Sequence, residues 1–329
     1  MNKYELNADN HEVYPARKSI RKSLFCHCCC CVGSFINGCQ LSSKRDASVI
    51  YKLVRDAVST ARDKERRRKK GGPVVIPGFS LPKALQPLLP IFLQGLISGS
   101  AELRQQAALG LGELIEVTSE QSLKQFVIPI TGPLIRIIGD CFPWQVKSAI
   151  LSTLSIMIRK GGTALKPFLP QLQTTFIKCL QDNTRTVRSS AALALGKLSA
   201  LSSRVDPLGS DLLSSLQASD SGVREAILTA LKGVVKHAGK SVSPATRTRV
   251  YALLKDLIHQ DDDQVRVFAF SILGVLSQYM EESELSDLLQ ELLQLSSSSS
   301  WADRHGAVLT FHDEKEVLVD RLAFDLPHS

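Results

Sequence analysis

An apolar residue followed by a basic one recurs along this 329-residue chain at Leu103-Arg104, Val146-Lys147, Val187-Arg188, Val223-Arg224 and Val265-Arg266, with an echo at Asp303-Arg304. The basic members stand 43, 41, 36, 42 and 38 residues apart. Two amphipathic helices and their turns consume about forty residues, so this period predicts a chain of helix pairs. A stripe of small and apolar residues at helical spacing follows each basic residue: Ala107, Ala108, Leu111 and Leu114, then Ala149, Leu151 and Leu154, then Ala191, Ala192, Leu195 and Leu198. Glycine stands eight residues after the base in three repeats, at Gly112, Gly196 and Gly274. A mid-helix glycine costs ~1 kcal/mol against alanine, so its recurrence predicts a close approach between the helices of a pair.

Ahead of each such helix lies another amphipathic segment, often with proline in its first half: Leu85 to Ile97 with Pro87 and Pro90, Leu123 to Ile138 with Pro129 and Pro133, Leu165 to Leu180 with Pro167 and Pro170. Proline is tolerated in a first helical turn, where its missing N–H would have no partner. Asp or Asn precedes the second helix at Asp140, Asp182, Asn183, Asp220 and Asp261 to Asp263, placed to accept from orphan amides. The unit is therefore helix, Asp-marked turn, helix. The proline, the Asp and the Val-Arg pair together resemble the HEAT repeat. Five units run from about residue 84 to 279, and a sixth begins at Glu282 and fades after Ala307. No unit can bury its apolar face alone, so the expected fold is all-α, an open α-solenoid of HEAT-type helix pairs over residues 83–311.

Residues 51–82 read as one further helix with Leu53, Val54, Ala57, Val58 and Ala61 on a face, then the basic run Arg66, Arg67, Arg68, Lys69 and Lys70, then a Gly71-Gly72-Pro73 connector. Residues 1–50 and 312–329 lack the repeat's apolar period and read as an atypical leader and tail. In the leader, Cys26, Cys28 to Cys31 and Cys39 are residue types for zinc, but four consecutive cysteines lack the paired spacing that a tetrahedral site uses. Lipidation beside Arg17, Lys18, Arg21 and Lys22 is a second reading, and the third assigns the cluster no chemistry.

The net charge of +8 is unevenly held. Residues 1–80 carry 16 Lys and Arg against 7 Asp and Glu, residues 81–240 carry 17 against 10, and residues 241–329 carry 7 against 15. A uniform basic coat for nucleic acid is excluded; a basic two-thirds joined to an acidic end is what remains. No apolar run reaches the ~18 residues of a bilayer span, and the expected compartment is the cytoplasm. H-E-x-x-H, G-x-S-x-G and P-loop patterns are absent, and the histidines form no catalytic set. The expectation is a binding protein: not an enzyme, and without cofactor, metal or small-molecule substrate.

Several stretches match beyond the period: Leu85-Gln86-Pro87-Leu88-Leu89-Pro90, Ile130-Thr131-Gly132-Pro133-Leu134-Ile135-Arg136, Leu165 to Phe176, and Val205-Asp206-Pro207-Leu208. They resemble the C-terminal HEAT part of the translational activator of the general amino-acid control pathway, in a plant form, over about residues 51–310. The family pattern has a base in Gly-Asp-Arg-Phe-x-Trp; here Cys141 stands in Gly139-Asp140-Cys141-Phe142-Pro143-Trp144. The resemblance implies a truncated piece of a much longer pattern. It also implies a scaffold in translational control that engages the RWD domain of the kinase acting on initiation factor two alpha, and the ribosome, including contact with ribosomal RNA. Arg55, Arg62, Arg66, Arg67, Arg68, Lys69, Lys70, Arg136 and Lys147 are the candidate contacts. Another HEAT adaptor, such as a nuclear-transport receptor or phosphatase scaffold, is the alternative.

Overall fold

The computed structural model describes residues 88–313 except 140–141 and 218–219, together with Leu85, Gln86, Tyr51, Lys52, Arg55, Asp56 and Ser59. The cysteine cluster, Pro87, Asp140 and the 314–329 tail lie outside the described residues, and so do Arg62 and the Arg66 to Lys70 run. The described helices belong to two compact units divided between Leu165 and Lys166.

In the first unit, α1 (Leu89–Ser98) and α2 (Ala101–Val117) form one pair, and α3 (Val127–Ile138) and α4 (Trp144–Gly161) the next. Pro90 sits in the first turn of α1, and the Ser100 hydroxyl caps α2 by accepting from the Leu103 amide. The stretch predicted as one helix from Leu123 to Ile138 is broken. A short helical turn, Glu120–Leu123, and a 3-10 turn, Lys124–Phe126, lead into α3. Pro129 lies two residues into α3, where its lack of an N–H costs least, and Pro133 lies inside it.

In the second unit the pairs are α5 (Leu169–Cys179) with α6 (Arg185–Ser199), α7 (Val205–Gln217) with α8 (Ser221–Ala238), α9 (Pro244–Ile258) with α10 (Asp263–Ser277), and α11 (Glu282–Ser296) with α12 (Trp301–Asp313). The repeat does not fade at Ala307: α12 continues to Asp313 with Ala307 and Thr310 fully buried. First helices bury one stripe, as in Leu172, Phe176 and Cys179 of α5 or Leu285, Leu288 and Leu292 of α11. Second helices are covered more widely, since α6 packs on α8, α8 on α10 and α10 on α12 as well as on their own partners. That double burial explains their alanines, including Ala191, Ala192 and Ala194.

The recurrent glycine works between pairs, not within one as its position suggested. A Cβ on Gly196 of α6 would lie 2.7 Å from the Cα of Gly233 in α8, so backbone meets backbone at this crossing. Two buried threonines fasten successive second helices elsewhere. Thr153 of α4 donates to the Ala108 carbonyl of α2 at 2.7 Å, and Thr310 of α12 to the Phe270 carbonyl of α10 at 3.2 Å. Asp220 and Asp262 cap α8 and α10 as expected, accepting from the Val223 and Val265 amides at 2.8 and 3.2 Å. Before α6 the cap position falls to Thr184, whose side chain makes no capping bond, while Asp182 accepts from the Thr184 amide at 2.9 Å.

Candidate partner-binding surface

The basic residue that defines the repeat is mostly spent inside the fold. Arg188 donates to the carbonyls of Asp182 and Asn183 at 2.8 and 3.1 Å and to that of Gly222 at 3.1 Å. Arg304 reaches the Ser298 and Ser299 carbonyls at 2.7 and 2.8 Å, and Arg266 that of Gln260 at 3.1 Å. Arg104 binds the Gly99 carbonyl at 2.8 Å and that of Leu96, and lies over the Phe142 ring at 4.4 Å. Each guanidinium thus closes the turn that ends its pair's first helix, satisfying carbonyls that the helix leaves open. Lys147 occupies the same ladder position, half-buried and engaged by its surroundings.

Arg136 and Arg55 are different. Arg136 is exposed in the last turn of α3, where a cation also complements the helix dipole. Arg55 is exposed and lines a hollow of about 500 Å³ with Tyr51, Lys52, Asp56, Ser59, Gln106 and Glu113. Tyr51 anchors this rim: its hydroxyl donates to the Ile91 carbonyl at 3.0 Å and its ring lies 4.6 Å from that of Phe92. Burial pushes the Tyr51 phenol up to about 12. Arg136 does not line this hollow, so these candidates form no single described site.

Part of the acidic end of the sequence lies on α11, which carries Glu282, Glu284, Asp287 and Glu291. Glu291 pairs with Lys255 of α9 at 2.9 Å and lies 3.3 Å from His259, the capping residue that ends α9, and the Thr248 hydroxyl reaches Glu284 at 3.3 Å. Glu291 raises the Lys255 ammonium above its ordinary range through that hydrogen bond.

Sequence reasoning passed over a second basic surface. Lys197 closes α6, and Lys236 and His237 close α8; all three are exposed. The Gly196–Gly233 contact draws these two helix ends together. The His237 imidazole is held below its ordinary range, first by burial and then by the Lys236 and Lys197 charges. Each cation alone reads as a helix-end residue. Only the glycine register, read across two repeats, could have joined them. Among the described residues no group of three or more His, Cys, Asp or Glu could hold a metal ion, and no helix is long and apolar enough to cross a membrane.

The repeats have relatives among known proteins. Residues 206–312 match the family model described as stalled ribosome sensor GCN1-like HEAT repeats, and residues 144–198 match a HEAT-like repeat model. Over 258 residues the chain is 76% identical to Protein ILITYHIA of Arabidopsis thaliana, covering 78% of this chain and 10% of that protein. These repeats are GCN1 HEAT repeats of the plant type. Human stalled ribosome sensor GCN1 is 45% identical over 250 residues, 75% of this chain and 9% of its own length. The Saccharomyces cerevisiae eIF-2-alpha kinase activator GCN1 is 36% identical over 261 residues, 79% of this chain and 10% of its own. The chain therefore spans about a tenth of the length of these GCN1 relatives.

Proposed function

We propose that this GCN1 segment is a non-catalytic scaffold of the cytoplasm that docks the RWD domain of the eIF-2-alpha kinase, associates with the ribosome, and so helps to activate the kinase when ribosomes stall or amino acids run short. The observation that carries the reading is the 36–45% identity, over three quarters of the chain, to GCN1 proteins named for kinase activation and for sensing stalled ribosomes. The fold supports it: helix pairs present exposed polar faces to a partner. Arg136, Arg55, Arg62 and the Arg66 to Lys70 run are the contacts assigned to the kinase domain and ribosomal phosphate. Lys147 acts through its ladder position.

The test is a pull-down of a purified plant RWD domain by the full chain, with ribosome co-sedimentation at two salt concentrations. The reading expects capture, weakened severalfold in Arg55→Glu/Arg136→Glu, and a ribosomal fraction that diminishes with added salt. A folded chain that captures no RWD domain, stays off ribosomes and accumulates in the nucleus would overturn it.

A further inference from the structure

We infer that the adjoining last turns of α6 and α8 are a docking surface for an acidic segment of a protein partner, one that sets an apolar side chain on Leu193 and carboxylates against Lys197 and Lys236.

Four observations carry this. Gly196 and Gly233 touch through their backbones, which brings the flanking side chains of the two helices to one surface. Leu193 and Lys197 are one turn apart on α6, as Lys232 and Lys236 are on α8, so each pair shares a helix face. The sequence has no Asp or Glu between Asp182 and Asp206 or between Glu225 and Asp256. Among the described residues no carboxylate forms an ion pair with Lys197 or Lys236. Two other cations of this unit are neutralised: Arg185 pairs with Glu225 at 2.7 Å and Lys255 with Glu291.

Helix-dipole compensation does not account for the arrangement. It would explain one cation at each helix end, but not the crowding of Lys197, Lys236 and His237 across a crossing, nor a leucine 57% exposed beside them. Like charges held together cost free energy until an anion arrives. The chemistry favours an acidic protein segment over nucleic acid. Residues 185–238 contain no Phe, Tyr or Trp to stack on a base, and Leu193 offers nothing to a phosphate. The inference does not rest on the kinase reading, and loss of RWD capture would leave it standing.

The probe is a fluorescein-labelled helical peptide of Glu and Leu about three turns long, titrated by anisotropy against the full chain. Saturable binding is expected. Lys197→Gln/Lys236→Gln should weaken it about tenfold, while Lys197→Arg/Lys236→Arg retains it. Lys178→Gln/Arg249→Gln, which removes two exposed cations of the first-helix row, should leave it within about twofold. Leu193→Ser should weaken the peptide without changing the binding of an oligouridylate of equal charge. By NMR, peptide should raise the His237 titration midpoint. Equal losses in the control pair, oligouridylate binding as tight as that of the peptide, or an unmoved His237 would each overturn the proposal; circular dichroism confirms that every variant is folded.

Discussion

Arg188 shows how much of a repeat's stability one side chain can hold. Its guanidinium meets three carbonyls, and hydrogen bonds from a charged donor are worth about 1.5–3 kcal/mol each when lost with their partners left dry. Because the site is half-buried, Arg188→Ala should lower unfolding free energy by about 2 kcal/mol in urea titration. Arg188→Lys should recover less than half of that, since a single ammonium cannot reproduce the fork. Tyr51 gives a pH signature. Its folded phenol titrates near 12, against about 10 when unfolded, so the folded state holds its proton more tightly. The stabilisation is complete below pH 10 and is lost as pH rises from 10 to 12. Denaturation between those limits should show a slope that Tyr51→Phe reduces. An unchanged slope would place Tyr51 in water.

At the scale of the helix, the sequence was readable where burial is periodic and unreadable where geometry joins distant residues. The Val-Arg period and the Leu/Ala stripes located the second helices, because a face buried against two neighbours tolerates only such residues. Pro129 and Pro133 marked α3, yet nothing in the Leu123 to Ile138 pattern announced its preceding break at Lys124–Phe126. Thr153 could not be read at all, and Gly196 only as a close approach without its partner, since Ala108 and Gly233 lie in other pairs. Both make predictions. Thr153→Val keeps the volume and deletes the bond to Ala108, and should cost about 1 kcal/mol by thermal unfolding; Thr153→Ser should keep most of it. Gly196→Ala must push α6 and α8 apart and should cost roughly 2 kcal/mol, with Gly233→Ala adding less than its own single cost once the gap has opened.

At the scale of the whole molecule, charge is the property that sequence and structure divide between them. Composition showed a basic stretch to residue 240 and an acidic remainder, and the structure puts four of its carboxylates, Glu282, Glu284, Asp287 and Glu291, on α11, where Lys255 pairs with Glu291. Of the candidate contacts, Arg55 and Arg136 were legible as exposed bases, whereas Lys147 belongs to a ladder whose internal use only coordinates reveal. Lys197 and Lys236 went unseen because a one-dimensional count gives separated lysines no common place. Opposite local charges should let the chain bind both cation- and anion-exchange resins at neutral pH and low ionic strength. Release from both is expected as salt passes about 0.1 M and screening shortens to about 10 Å. Retention on the cation exchanger alone would show that net charge governs.

The two kinds of polar fastener bear on how these helices would come apart under load. The arginines mostly clasp carbonyls of their own pair, while Thr153 and Thr310 bridge from one pair to the next with a single hydroxyl each. A pull applied along a row of second helices would meet the Thr310 hydroxyl in the second unit, whereas in the first the Thr153 bond is reinforced by the Arg159–Glu116 ion pair and by Lys160 donating to the Thr118 carbonyl at 2.9 Å. The seam at Thr310, more lightly fastened than that at Thr153, is thus the place to yield first, letting a pair separate as a unit before its own turn opens.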